Sequence, residues 1–219
     1  MSKKEKLDLV DSLTGLKNYQ AFIDDIEEKI KEAEENCQDL SLASVDIDSF
    51  MRVNENYGNK AGDKVLIFIA NQLEENMPAE AKIYRYSGDQ FAVIMSDTIK
   101  EKAFLLLEGV REKLANQGVK IREDMENLDI TVSIGIAAYP EDGSNSTELV
   151  RKAEGALYRA KNSGRNKVRL SREEKMVTKT SHYTYEQLQR LSELAKKEGV
   201  GEAVLLREAL DDLLKKYDD

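Results

Sequence analysis

Apolar residues recur at helical spacing in several segments of the chain. From Tyr19 to Cys37 they appear every three or four positions, and charged residues fill most of the positions between them. Such a stripe is typical of a helix that packs one face on a core and exposes the other to water. The same spacing predicts helices over Ala61–Met77, Lys100–Leu114 and Thr147–Asn162, the last of them ending at Gly164.

Short apolar runs between these helices predict strands. Leu40–Val45 predicts a buried strand, and Ile130–Ala138 is rich in β-branched residues. Two further runs, Ile83–Tyr86 and Phe91–Met95, are separated by four residues, 87–90, with the composition of a hairpin turn. The alternation of strands and helices, with one hairpin, predicts an α/β (α+β) domain in which helices flank a mixed sheet.

The character of the chain changes after residue 170. Residues 171–178 are polar and charged and predict a linker, so we expect the main domain to cover residues 1–170 and a small C-terminal module to cover 179–219. The module begins with a strand-like segment at 179–183. Its apolar content is too high for a lone tail in water, which favours pairing with a second copy of itself.

Two helices are predicted within this module. Thr184 and Gln187 have the spacing of a capping box, which indicates where the first helix begins, and Gly199 is the expected end of that helix. A second helix is predicted over Glu202–Tyr217, where leucine and alanine side chains share one face.

Composition and charge narrow the functional classes. The chain has 219 residues with a formal net charge of -9, which argues against coating nucleic acid through bulk electrostatics, although a local basic strip would still bind. No apolar run approaches the roughly 18 residues that a membrane span needs, and the first residues lack the apolar stretch of a secretory signal. Cys37 is alone, which excludes an intramolecular disulfide and a cysteine-based zinc site. We expect a cytoplasmic protein that does not bind membranes.

Candidate chemistry lies at a strand end and in the hairpin. Asp46 and Asp48 follow the first predicted strand, and Asp89 stands in the turn beside Gly88. Carboxylates hold Mg²⁺ together with phosphate oxygens, and a glycine lets phosphates approach the backbone closely. Taken singly, each acid is a common turn or strand-end residue that faces water. The chain has no P-loop motif, which excludes that class of nucleotide-binding enzyme.

Five short motifs follow one another between residues 8 and 170. They are Asp11–Asn18 (D-x-L-T-G-L-x-N), Asp46–Asp63 (D-I-D-x-F-K-x-x-N…G…G-D), Arg85–Phe91 (R-Y-G-G-[DE]-E-F), Val132–Ala137 (V-S-I-G-I-A) and Ala156–Asn166 (A-L-Y-x-A-K-x-x-G-R-N). In this order they resemble the GGDEF family of diguanylate cyclases, whose patterns stand in parentheses. The resemblance implies a palm-like nucleotidyl-cyclase fold. It also implies a homodimeric reaction in which two GTP molecules, one per subunit, are condensed to cyclic di-GMP with release of pyrophosphate.

The same resemblance implies the roles of individual residues. Catalytic positions are Asp89, Asp46 and Gln90, and the ligands of Mg²⁺ or Mn²⁺ are Asp46, Asp89 and the Ile47 carbonyl. The substrate-binding positions are Asn54 and Asp63 at the guanine edge, Phe50 and Gly88, and Lys161 and Arg165 at the phosphates. A carboxylate such as Asp63 accepts hydrogen bonds from guanine N1 and N2, whereas adenine offers no such pair, so GTP is expected to bind in preference to ATP.

Departures from the family pattern bear on turnover. Ser87 replaces the first glycine of the signature loop, which is expected to be tolerated, and Gln90 replaces a glutamate beside the metals. Met51 stands where the family carries a lysine near the phosphates, and losing one such contact costs about 10²- to 10³-fold in rate. Arg52 would substitute for that lysine only if the loop rotated. The family's product-inhibition motif, R-x-x-D, would fall at residues 78–81 and is absent.

The C-terminal segment from Thr178 to Tyr217 resembles a ribbon-helix-helix DNA-binding module. In such dimers two strands pair into a ribbon that enters the major groove, and alternate side chains contact base edges. In that register Thr178, Thr180 and His182 would face DNA, while Ser181 would occupy a core position. The alternative is a tail that dimerises without binding nucleic acid.

Function hypotheses of different classes therefore remain open. The first is a diguanylate cyclase with reduced activity joined to a DNA-binding dimeriser. The second is a catalytically inactive sensor of GTP or a cyclic dinucleotide that acts as a ligand-responsive transcription regulator. A third, a plain structural dimer, predicts no rise in melting temperature with GTP.

Overall fold

A computed structural model of the chain describes residues 9–122, 127–171, 181–198 and 201–217. The chain divides into two compact units, Met1–Glu173 and Glu174–Asp219. The predicted linker at 171–178 lies outside the described residues except for residue 171, and the predicted domain limits stay a prediction.

The first unit alternates helices and strands. In chain order its elements are α1 (Tyr19–Asn36), β1 (Leu40–Ile47), α2 (Phe50–Tyr57), α3 (Asn59–Asn76), β2 (Lys82–Ser87), β3 (Gln90–Ser96), α4 (Lys100–Gln117), β4 (Val132–Tyr139), α5 (Ser146–Asn162) and β5 (Val168–Leu170). The second unit contains α6 (Tyr185–Glu198) and α7 (Glu202–Tyr217).

One mixed sheet forms the centre of the first unit. Its strand order is β2-β3-β1-β4-β5, with β1 antiparallel to both β3 and β4, and β5 parallel to β4. All eight residues of β1 are buried, because helices cover both faces. One core cluster includes Val65 and Ile69 of α3 and Leu107 of α4, and the other includes Phe22 of α1 and Leu149 of α5. The predicted α/β fold is confirmed.

The helix α5 packs on β4 at a glycine. A Cβ atom at Gly135 would lie 2.1 Å from both the Ala153 carbonyl oxygen and the Leu157 backbone nitrogen. Only a residue without a side chain therefore allows this close approach of helix to strand. The approach matters for the site, since α5 carries Lys161 near its C-terminal end.

Two elements were not predicted from the sequence. The helix α2 has eight residues, of which only Val53 is buried, so it lacks the apolar stripe on which the other helix predictions rest. The strand β5 has three residues and is positioned by pairing with β4 rather than by a pattern of its own. The predicted strand at Ile130 begins two residues later, at Val132.

The second unit contains the two predicted helices. The capping box is confirmed, because the Thr184 backbone nitrogen donates to Gln187 Oε1 at 2.9 Å and the Gln187 backbone nitrogen donates to Thr184 Oγ1 at 3.2 Å. In the strand-like segment predicted at 179–183, residues 181–183 have no regular secondary structure, and residues 179 and 180 lie outside the described residues, as does Gly199. Large apolar side chains are exposed on both helices, namely Tyr185, Leu188, Leu194, Leu206, Leu210 and Leu213.

None of the helices in the described ranges combines the length and the apolar composition needed to cross a membrane.

Candidate functional site

Strand pairing brings the predicted metal ligands together. At the end of β1, Asp46 lies opposite Gln90 of β3 on one side and Ser133 of β4 on the other. The Ile47 backbone nitrogen donates to the Asp89 carbonyl oxygen at 3.3 Å, so the hairpin between β2 and β3 folds over this strand end. Residues more than forty positions apart thereby meet at the end of the central strand β1.

Asp46 is a buried carboxylate in contact with two donors. Its Oδ2 lies 2.6 Å from the Lys161 ammonium nitrogen and 3.2 Å from Gln90 Nε2. Burial raises the pKa of Asp46, and the negative charge of Asp89 raises it further, while Lys161 and Gln90 act in the opposite direction. A buried carboxylate next to a second one is stabilised in its charged form by a nearby cation.

Asp48, the second carboxylate at this strand end, is fully engaged by the protein. Its Oδ1 accepts from Ser133 Oγ at 2.7 Å, and its Oδ2 accepts from Thr131 Oγ1 at 2.7 Å and from the Asn166 backbone nitrogen at 2.9 Å. With both oxygens occupied, Asp48 braces the strand end and leaves Asp46 as the acid that faces the site.

Small-molecule sites are typically clefts of roughly 300 to 1,000 Å³. One of 530 Å³ adjoins the signature hairpin. Its lining consists of Phe50, Met51, Asn54, Asn59, Asp63, Leu66, Arg85, Gly88 and Asp89. The structure therefore brings five predicted site residues into one cavity, and it adds Asn59, Leu66 and Arg85, which sequence reasoning did not assign to the site.

Gly62 makes room for the side chains on one wall of this cavity. A Cβ atom at Gly62 would lie 2.0 Å from Asn54 Oδ1 and 3.0 Å from Phe50 Cζ. The helices α2 and α3 meet at Gly58, whose φ of 83° is in the left-handed region. The glycine pair of the G…G-D motif thus sets where Asn54 and Phe50 lie.

Arg85 ties the hairpin to the N-terminal motif. Its Nη2 and Nε donate to the Gly88 carbonyl oxygen at 2.9 and 3.2 Å, and its Nη1 donates to both Asp11 carboxylate oxygens at 3.0 and 3.1 Å. Burial would raise the pKa of Asp11, but hydrogen bonds from Thr14 and Arg85 outweigh it and lower the pKa. The one signal in the sequence for this connection between the hairpin and Asp11 is that Arg85 is the first residue of the Arg85–Phe91 motif.

The remaining predicted residues lie in different environments. Lys161 contacts Asp46, whereas Arg165 is exposed in the turn after α5 and is not part of the cavity lining. Of the predicted DNA contacts, His182 is exposed, and Thr178 and Thr180 lie outside the described residues.

Asp46 at the strand end and Asp89 in the hairpin are the candidate carboxylate ligands for a divalent cation. In the described part of the chain, no group of three or more carboxylate, histidine or cysteine side chains surrounds a common point. Mg²⁺ is nevertheless commonly held by one or two carboxylates that share it with substrate phosphates. Asp46 and Asp89, with the Ile47 carbonyl, fit this mode of binding.

A five-stranded mixed sheet flanked by helices, with acids at the end of its central strand and in the adjoining hairpin, is the architecture that the sequence predicted. Residues 8–167 match the family model described as diguanylate cyclase, GGDEF domain, and the chain belongs to the GGDEF family. Residues 178–218 match the model of a ribbon-helix-helix domain. The resemblances seen in the sequence are confirmed.

Curated relatives share the GGDEF part of the chain. The response regulator PleD of Caulobacter vibrioides is 33% identical over 163 residues, which are 74% of this chain and 36% of PleD. Diguanylate cyclase DgcP of Pseudomonas aeruginosa is 37% identical over 164 residues, 74% of this chain and 24% of DgcP. An uncharacterised membrane protein of Staphylococcus saprophyticus is 35% identical over 169 residues, 77% of this chain and 47% of that protein. The chain thus spans less than half the length of these relatives.

Solved structures of similar chains are GGDEF domains. The coiled coil and GGDEF domain of DgcB from Caulobacter crescentus, in complex with c-di-GMP, has a TM-score of 0.72 and 31% identity, covering 77% of this chain and 88% of that one. The active GGEEF domain of a diguanylate cyclase from Vibrio cholerae has a TM-score of 0.67 and 28% identity. The match covers 71% of this chain and 97% of that one.

Proposed function

We propose that this protein binds GTP with a divalent cation and condenses two GTP molecules to cyclic di-GMP at a reduced rate. The observation that carries the proposal is a cavity lined by Asp89, Asn54 and Asp63, with Asp46 at the adjoining end of β1. The cyclase DgcP and the c-di-GMP complex of DgcB support the same reaction by relationship.

The guanine end of the substrate would occupy the cavity between α2 and α3. Asp63 accepts hydrogen bonds and the Asn54 amide both donates and accepts, so together they match the donors and the acceptor on the guanine edge. Phe50 supplies an apolar wall. An adenine ring presents no pair of donors to a carboxylate, which favours GTP over ATP.

The triphosphate end would lie at the hairpin. Asp46, Asp89 and the Ile47 carbonyl would hold Mg²⁺ or Mn²⁺, and the bound cation neutralises phosphate charge and lowers the pKa of a coordinated hydroxyl. Gly88 has a φ of 45°, and a Cβ atom there would meet no atom within 4 Å, so the backbone above it is open to phosphate. Lys161, beside Asp46, and Arg165 would contact the phosphates.

Reduced turnover follows from two side chains. Gln90 donates to Asp46 and carries no charge, so the negative charge beside the cation is smaller than in the family pattern. Met51 lines the cavity with 71% of its surface exposed and offers no positive charge to the phosphates. The same two side chains favour the second candidate function, a catalytically inactive GTP or cyclic-dinucleotide sensor.

The C-terminal module supports dimer formation. Exposed leucines on α6 and α7 form apolar surface that pairing of two chains would cover, and each subunit of a dimer would bring one GTP to the reaction. Pairing also holds the two GGDEF domains at high effective concentration. The module would bind DNA through Thr178, Thr180 and His182, the side chains that the ribbon-helix-helix resemblance assigns to base edges.

Nucleotide binding and product formation test the main proposal. Calorimetry with Mg²⁺ or Mn²⁺ is expected to show GTP binding more tightly than ATP, and chromatography after incubation at high protein concentration is expected to show cyclic di-GMP. Binding without any product favours the sensor. No GTP binding and no rise in melting temperature with GTP would leave only the structural dimer.

The variant Gly62→Ala makes this test specific to the cavity. The added Cβ atom forces the Asn54 side chain away, so the affinity for GTP is expected to fall about 10-fold or more, the loss of one or two hydrogen bonds to the base. Gly109→Ala on α4, where a Cβ atom meets nothing within 4 Å, is the matched control and should leave affinity unchanged. Equal affinities of the two variants would place the base elsewhere.

DNA binding by the C-terminal module is tested separately. Against a randomised duplex pool, the chain is expected to shift DNA mobility in a salt-dependent manner, because phosphate contacts release counterions. Thr180→Ala with His182→Ala should remove the selection of sequence, and Gln189→Ala, an exposed polar residue of α6, should not. A dimer that shifts no DNA at low salt would show that the module only dimerises.

A further inference from the structure

A chain of hydrogen bonds joins α4 to the end of β1. Arg111 Nη1 donates to Asn166 Oδ1 at 2.8 Å, and the Asn166 backbone nitrogen donates to Asp48 Oδ2 at 2.9 Å. Asp48 is in turn fixed by Thr131 and Ser133. Three segments far apart in sequence thus meet at the turn that follows α5.

That turn has an unfavourable backbone conformation. Arg165 has a φ of 58° and Asn166 a φ of 44°, both in the left-handed region. A residue with a side chain is disfavoured there by on the order of 1 kcal/mol, with asparagine more tolerant than arginine. The turn therefore needs contacts that hold it, and the Asn166 contacts on either side supply them.

Arg111 is itself held in a fixed orientation. Its Nε and Nη2 donate to the two carboxylate oxygens of Glu108 at 3.0 and 2.7 Å, and only 13% of its side chain is exposed. A guanidinium engaged at two nitrogens by one carboxylate has its remaining nitrogen aimed in a defined direction. Here that nitrogen faces Asn166.

We propose that Arg111 is a positioning residue for phosphate binding. It holds the Asn166 side chain and so keeps Arg165 in the conformation that serves the triphosphate. The Asn166 backbone contact to Asp48 anchors the same turn to the end of β1. Arg111 itself does not line the cavity. The inference rests on the proposed function, because it needs Arg165 to contact the phosphates.

The first test compares ligands with and without phosphates. In Arg111→Ala the affinity for GTP is expected to fall about tenfold, while the affinity for guanosine, which has no phosphates, stays unchanged. In an Arg165→Ala background, Arg111→Ala should cause no further loss. Lys102→Ala, an exposed cation of the same helix, is the matched control. Equal losses for GTP and guanosine, or a full further loss in the Arg165→Ala background, would overturn the proposal.

The second test needs no nucleotide. Glycine adopts a positive φ without steric cost, so Asn166→Gly preserves the turn conformation and the backbone N–H that donates to Asp48. The variant removes only the side-chain oxygen that accepts from Arg111. Amide hydrogen exchange at residues 165 and 166 is expected to accelerate similarly in Asn166→Gly, in Arg111→Ala and in the double variant, with α5 amides unaffected. Unchanged exchange in Arg111→Ala contradicts the proposal. If the unsubstituted protein binds no GTP, the proposed function fails while this measurement still decides whether Arg111 holds the turn.

Discussion

Substituting lysine for Met51 together with glutamate for Gln90 is expected to raise the rate of cyclic di-GMP formation by about 10³-fold, given that one charged transition-state contact is worth about 10²- to 10³-fold. Met51 lines the cavity beside Asn54 and Asp89 and is largely exposed, so a lysine at this position has room to extend toward bound phosphates. Its ammonium group would oppose the negative charge that grows on the leaving pyrophosphate.

The change at residue 90 acts on the cation. Gln90 now donates to the Asp46 oxygen that Lys161 also contacts, whereas a glutamate can only accept when ionised. Three neighbouring acids repel one another without a cation, so the double variant should melt at a lower temperature without Mn²⁺ and gain more from Mn²⁺ than the unsubstituted chain. Chromatography of the products at saturating GTP gives the rate of cyclic di-GMP formation. Melting temperatures with and without Mn²⁺ give the stabilisation by the cation.

A control variant at residue 51 separates the effect of the lysine charge on the rate from the effect of side-chain size. Met51→Gln is a polar, uncharged side chain of similar size to lysine, and it should leave the rate near that of the unsubstituted protein. A double variant that binds GTP and Mn²⁺ but shows no faster turnover would show that these two departures are not what limits catalysis. The sensor hypothesis would then need another cause.

Local pattern predicted most of the elements of the first unit. The long helices and β1 bury continuous or periodic apolar faces, so their existence follows from spacing. The helix α2 and the strand β5 exist because of tertiary contacts, α2 through packing against α3 and β5 through pairing with β4, and neither has a pattern strong enough to predict it.

The site shows the same division. Motif resemblance named Asp46, Asp89, Asn54 and Asp63, and the cavity contains three of these with Asp46 at the adjoining strand end. The sequence did not reveal which of the two strand-end acids, Asp46 or Asp48, is hydrogen-bonded by the protein on both carboxylate oxygens. That acid is Asp48, whose partners are Thr131, Ser133 and Asn166. These hydrogen bonds join residues that lie more than eighty positions apart, so no local sequence pattern predicts them.

Gly135→Ala is expected to destabilise the first unit by more than about 4 kcal/mol, the range reached by overpacked sites that cannot relax. Its Cβ atom would lie 2.1 Å from two backbone atoms of α5 and 2.8 Å from the Ala156 carbonyl carbon. Backbone atoms of a helix cannot turn aside as a flexible side chain does, so α5 must move as a body away from β4. The φ of Gly135 lies outside the left-handed region, and the cost is therefore one of space alone.

Urea unfolding of Gly135→Ala, beside Gly109→Ala, measures this cost. Gly109 is an exposed helical position with open space, where alanine is expected to stabilise by about 0.5–1 kcal/mol. Because α5 carries Lys161 toward Asp46, any folded Gly135→Ala protein should also gain less stability from GTP and Mn²⁺ than the Gly109→Ala protein does. A loss below about 1 kcal/mol would mean that helix and strand separate easily, and that the position of Lys161 is set by its ion pair rather than by the packing at Gly135.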